Sequence, residues 1–131
     1  MNVSRYDLEA TTNKARTLHP VEIIEVSCVI IHSATATIKA SYQSFVRPTE
    51  HPRLDPFVIE LCGIQQSQVD GAPLLADVLQ QQHDWLQQQG VLDEGVSCIP
   101  VTWTEWDFKV GLSSVCQWMQ TYTCRISCMT A

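Results

Sequence analysis

The sequence predicts an α/β domain, and three features carry that expectation. Residues 2–10 alternate with a period of two, the run from Val21 to Ile31 is almost continuously β-branched, and the stretch from Pro73 to Gln89 holds one apolar stripe of helical spacing. A chain of 131 residues suits a single domain, and a domain of this size buries roughly two thirds of the surface its unfolded chain exposes. With 45% hydrophobic and 17% charged residues, the composition is that of a packed protein and excludes a disordered one.

Taken in order, the first strand places Tyr6, Leu8 and Ala10 on one face and Asp7 and Glu9 on the other. It is expected to start late, because Ser4 and Arg5 stand where a buried central strand should be apolar. Val21 to Ile31 and Ala36 to Val46 read as two long strands, and the short link His32-Ser33-Ala34-Thr35 makes them an antiparallel hairpin. Pro48 and Pro52 then mark a loop. A short helix is expected from Pro56 to Cys62, stopped at Gly63, since glycine most readily takes the left-handed conformation that follows a helix end. A longer helix follows from Pro73 to Gln89, with Leu75, Val78, Leu79, Gln82 and Leu86 on one stripe. Val96 to Trp103 gives another strand, and Thr104 with Asp107 has the spacing of a helix start from about Glu105, with Phe108 and Leu112 inward. Residues 117–131 show no clear period and are set apart from a domain over residues 1–116.

A net charge of −6 argues against a surface that grips nucleic acid by counterion release alone. It does not exclude a nuclease, which can hold its substrate through carboxylate-bound metal. No apolar run reaches the length of a membrane span and no signal-peptide core follows the first residues, so a soluble intracellular protein is expected. The six cysteines include no Cys-x-x-Cys pair and are expected to be reduced thiols. Zinc binding by Cys116, Cys124, Cys128 and His83 fits no common spacing. No nucleophile sits in a setting typical of a Ser-His-Asp or Cys-His hydrolase.

Residues two apart on a strand share a side, so Asp7 and Glu9 form a carboxylate pair. Such charges repel unless neutralised, and a hard divalent cation such as Mg²⁺ or Mn²⁺ is the usual partner. An ordinary solvated strand face explains the same pattern, and the residues around it decide the matter. Tyr6-Asp7-Leu8-Glu9-Ala10-Thr11 resembles the first motif of the DEDDh superfamily of 3′-to-5′ exonucleases, and Thr102-Trp103-Thr104-Glu105-Trp106-Asp107-Phe108-Lys109 resembles its second. Glu22-Ile23-Ile24-Glu25, Phe45-Val46-Arg47-Pro48 and the stretch from Leu61-Cys62-Gly63-Ile64 to Pro73 resemble landmarks of its Eri-1-like RNA exonuclease branch.

The resemblance implies a ribonuclease-H-like fold, a mixed sheet of three antiparallel strands plus a fourth parallel to the first, with covering helices. It implies a two-metal phosphodiester hydrolase with Asp7, Glu9 and Asp107 as carboxylate ligands of Mg²⁺ or Mn²⁺. Ala10 and Thr11 would hold the terminal nucleotide, while Leu61, Gly63 and Ile64 would wall its base or simply pack in the core. Trp106, with Trp103, would stack bases or pack under the sheet. The implied partner is the 3′ end of single-stranded or short structured RNA. The family completes its site with a late His followed five residues on by Asp. His19, His32, His51 and His83 all precede Asp107 and none has that Asp, so a copy shortened at its C-terminus and impaired in hydrolysis is expected, or a non-catalytic RNA-binding remnant.

Overall fold

The computed structural model describes residues 1–102. Four strands and three helices follow in the order β1 (Asn2–Ala10), β2 (Ile23–His32), β3 (Thr37–Phe45), α1 (Pro56–Cys62), α2 (Gln66–Asp70), α3 (Leu75–Gln88) and β4 (Cys98–Thr102). They form one sheet in the order β3-β2-β1-β4. β1 with β2 and β2 with β3 are antiparallel, whereas β4 lies parallel to β1. This is the mixed sheet the resemblance implied. The helix expected from about Glu105 and the stretch 117–131 lie outside the described residues.

β1 does not start late. It pairs from Asn2 onward on both sides, with His32 of β2 and Cys98 of β4. Ser4 is only 3% exposed, and a small cavity of about 10 Å³ borders it together with Tyr6, Cys98 and Pro100. A polar side chain is tolerated there because its neighbours on that patch are themselves partly polar, the Tyr6 hydroxyl and the Cys98 thiol among them. Arg5 points to the opposite, open face, where a charge costs little.

α3 covers one face of the sheet. Val78 meets Leu8, Ile23, Val26 and Val46, while Leu79 and Leu86 pack with Ile30 and Val91. Tyr42 of β3 leans on Trp85, ring centres 5.5 Å apart, and its hydroxyl donates to the Val78 carbonyl at 3.3 Å. α3 begins at Leu75 rather than Pro73, whose carbonyl accepts the Arg47 amide at 2.9 Å and so belongs to the incoming loop.

Among the described residues, α1 and α2 cover one end of the other face. Ile24, Leu54, Val58, Ile64 and Val69 form this smaller core, with Phe45 against it. Phe45 pairs with Glu25, and Glu25 with Glu9, so this core lies on the Glu9 side of the sheet. A register shift at Glu9/Ala10 makes the arrangement possible. Ala10 is paired with Ile23, which faces α3, and the skipped Ile24 turns to α1 and α2.

α1 ends where the sequence placed its end. Asp55 caps it, accepting from the Phe57 amide at 2.8 Å, and Gly63 closes it at φ +76°, its amide bonded to the Ile59 carbonyl. Among the described residues a methyl group at Gly63 would meet nothing within 4 Å. Gly63→Ala therefore costs only the left-handed backbone, about 1–2 kcal/mol, in denaturant unfolding. A neutral result would contradict the left-handed end.

Candidate active site

Alternation along β1 drives Tyr6, Leu8 and Ala10 under α3, and the same alternation leaves Asp7 exposed and Glu9 half-buried on the open face. Ser27 lies across from Asp7, and Glu25 across from Glu9. The Ser27 hydroxyl donates to the Asp7 carbonyl at 3.1 Å, and Gln43 of β3 donates to the Glu25 carboxylate at 3.3 Å. Three carboxylates therefore share one open stretch of sheet. Glu25 was quoted in the sequence only as a landmark, since its place beside Glu9 depends on strand register that no local pattern reveals.

α1 delivers its C-terminal end to this stretch. The Cys62 thiol donates to the Val58 carbonyl at 3.0 Å. Burial is the main cause that raises its pKa, a hydrogen bond with the Ile64 backbone opposes this, and the negative charges of Glu9 and Glu25 add to the rise. Cys62 thus marks the helix end as close enough to the carboxylates to feel their charge. In contrast Cys28 lies inside the sheet's α3 side, and burial pushes its pKa up to about 12.

The expected nucleotide-binding residues fall into two groups. Leu61 is 65% exposed and free to meet a ligand, and Gly63 is exposed beside it. Ile64 is 4% exposed and belongs to the core with Val58 and Val69, so for this residue plain packing is the account the structure supports. Ala10 is buried at the register shift. Thr11 is buried too, and its amide and hydroxyl both engage Glu22: the amide donates to the Glu22 carbonyl at 2.8 Å, and the hydroxyl accepts the Glu22 amide at 2.9 Å. Trp106 and Asp107 lie outside the described residues.

The donor set suits a hard cation. Asp7 and Glu9 offer carboxylate oxygens on one accessible face, and like charges so placed favour a bound divalent ion. Among the described residues no three His, Cys, Asp or Glu side chains come together as a complete metal-binding group. Also among them, no helix is long and apolar enough to cross a membrane.

A mixed four-stranded sheet with carboxylates at the exit of its first strand defines a ribonuclease-H-like exonuclease fold, and comparison with known proteins agrees. The model of the exonuclease family RNase_T matches residues 5–131. Human ERI1 exoribonuclease 3 is 42% identical over 113 residues, covering 86% of this chain and 33% of that protein. The nuclease domain of 3′hExo, a DEDDh family member solved with rAMP, superposes with a TM-score of 0.78 at 30% identity, covering 91% of this chain and 60% of that one. A 3′-exonuclease structure described as 3′-end specific recognition of histone mRNA stem-loop gives the same TM-score and identity over 89% of this chain and 52% of that one. The chain belongs to this exonuclease family, on its Eri-1-like DEDDh branch. It spans about a third of the length of the ERI1 exoribonuclease 3 relatives it matches.

Alkylation checks the placement of Cys62. Removing one nearby negative charge with Glu25→Gln lowers the thiol's pKa, so at neutral pH the thiolate fraction and the labelling rate rise, since the thiolate is the reactive form. Labelling followed by mass spectrometry that shows no change at Cys62 would contradict the placement.

Proposed function

We propose that this chain carries part of the site of a metal-dependent 3′-to-5′ exoribonuclease that removes nucleotides from RNA 3′ ends. The observation that supports it most is the side-by-side placement of Asp7 and Glu9 on the open face at the exit of β1, next to the end of β4. β4 runs parallel to β1 and its last residue, Thr102, pairs with Tyr6, one residue before Asp7. Asp107 follows five residues later in the sequence, a reach of at most roughly 18 Å of extended chain. That tether is short enough for Asp107 to join the other two.

In this reading Asp7, Glu9 and Asp107 hold Mg²⁺ or Mn²⁺. When bound, such ions acidify water to give a nucleophile at neutral pH and stabilise the leaving oxygen. The chain's own residues orient the end of the RNA. In the same reading Leu61 and Gly63 are the wall for the terminal base, Trp106 is the stacking candidate, and the backbone at Ala10 and Thr11 is the part that would hold the terminal nucleotide. The substrate class, single-stranded RNA 3′ ends or short structured RNA, is taken from the relatives, one of which is described as recognising the 3′ end of a histone mRNA stem-loop.

The 131 residues hold no His with an Asp five positions on. General-base assistance is commonly worth about 10²–10⁴ in rate, so hydrolysis by these residues alone is expected to be slow. A second reading of these residues taken alone is an RNA-binding form without catalysis. Purified protein with 3′-labelled single-stranded RNA and Mn²⁺ separates the two. Label released by the parent and not by Asp7→Ala supports the enzyme. Binding without release supports the second reading, and neither binding nor release contradicts both.

A further inference from the structure

The segment between β3 and α1 belongs to no helix or strand, and side chains from elsewhere hold it. The Glu22 carboxylate accepts five hydrogen bonds from it. Oε1 takes the Thr49 amide at 2.7 Å, the Thr49 hydroxyl at 3.2 Å and the Glu50 amide at 3.1 Å, while Oε2 takes the same Glu50 amide at 3.1 Å and the His51 amide at 2.8 Å. Gln66 of α2 takes over from there. Its Oε1 accepts the Leu54 amide at 2.8 Å, and its Nε2 donates to the Pro52 carbonyl and to Asp70, at 2.8 and 2.7 Å. Asp55 then caps α1. Backbone bonds to Ile24 and Pro73 hold Val46 and Arg47 at the start of the segment, and from Thr49 onward side chains take over.

Glu22 is also fixed from the other side. Its amide and carbonyl are the two groups that bond Thr11, the first residue after β1. One residue therefore holds, by its backbone, the end of the strand that carries Asp7 and Glu9, and, by its carboxylate, the segment that delivers Leu61 and Gly63. Hydrogen bonds to an ionised acceptor are roughly twice as strong as neutral ones, which is what gives a side chain this leverage over a loop.

We infer that Glu22 is a positioning residue for the candidate nucleotide pocket, setting the separation between its floor at Ala10 and Thr11 and its wall at Leu61 and Gly63. The inference rests on the nuclease reading for the identity of that pocket, and on hydrogen-bond geometry alone for the joint. Glutamine cannot replace the carboxylate, because its NH₂ group would face amide donors at one of the two oxygen positions. Aspartate is a methylene too short.

The ionisation of Glu22 follows from the same geometry. Partial burial pulls its pKa up, but the bonds from the Thr49, His51 and Glu50 amides and the Thr49 hydroxyl outweigh it, and the carboxyl lies below its ordinary 4.5. A lowered pKa means that the bonds are fully present above 4.5 and are lost as pH falls through the lower folded value. The other ionisable groups around it are Glu50 and His51 on the held segment, His19, whose carbonyl meets the His51 ring at 2.9 Å, and Arg47, which shares a cleft with Glu22. The remaining described residues that line this cleft, Ile23 of β2, Val46, Leu74 and the α3 residues Leu75 and Ala76 among them, carry no ionisable side chain, and neither does Thr11.

Amide resonances of the isotopically labelled chain, followed from pH 7 downward, provide the test. The expected result is a transition below pH 4.5 seen at Thr49, Glu50 and His51, and with the same midpoint at Thr11, Gly63 and Ile64. In Glu22→Gln at pH 7 the same six amides shift, and the low-pH transition is gone while those of the surrounding groups persist. Response at residues 49–51 alone would overturn the inference by reducing Glu22 to a local staple. Should Glu22→Gln not fold, the parent titration decides. Titration with adenosine monophosphate and Mg²⁺ adds the functional arm: affinity weaker by about ten-fold in Glu22→Gln supports a positioning role, and equal affinity refutes it. A parent that binds no nucleotide instead sinks the nuclease reading, and the pH titration then judges the joint by itself.

Discussion

The period of two along β1 is the constraint on which the site depends. Tyr6, Leu8 and Ala10 are among the buried residues of the sheet, and none can leave its face without opening the core against α3. Asp7 and Glu9 are held to the opposite face by the same covalent geometry. A slip of one residue would bury both charges and expose three apolar side chains, a change no neighbouring contact could offset. Pairing on both sides of β1, with β2 and with β4, removes that freedom.

The two faces are then used differently. α3 closes one along most of its length, giving the domain its principal core. Among the described residues the other is closed near Ile24, so within them the carboxylates lie at the border between packed and open sheet. A wall beside an accessible charged surface is what a nucleotide pocket needs: apolar contact for a base on one side and room for phosphate and metal on the other. The register shift at Glu9/Ala10 joins the two halves, because it reverses the alternation of β2: Ile23 faces α3 together with Val26, while Ile24 joins the other core on the side that carries Glu25.

Much of this was legible in the sequence, and the exceptions have physical reasons. The alternation of β1, the hairpin of β2 and β3 and the limits of α1 with its Gly63 stop are local properties, fixed by side-chain period and by backbone freedom at one residue. α2 has no counterpart among the elements expected from the sequence. Its signal was present, since Gln65 and Gln68 have capping-box spacing and make that box, but five residues are too few for a period to emerge. Ser4 misled because polarity was taken for exposure, whereas its strand is buried and its pocket partly polar. Glu25 beside Glu9 and the grip of Glu22 on residues 49–51 are products of register and tertiary folding. They join positions far apart in the sequence, and no window along the chain contains both partners.

The central claim is that the open face of β1 is where a divalent cation binds. Substoichiometric Mn²⁺ broadens amide resonances in proportion to their nearness, and following that broadening in this chain and in Asp7→Ala tests the claim most directly. The account predicts that the amides of Asp7, Glu9 and their cross-strand neighbours Glu25 and Ser27 fade first, and that Asp7→Ala abolishes the pattern. Broadening centred elsewhere, or unchanged by loss of Asp7, would contradict it.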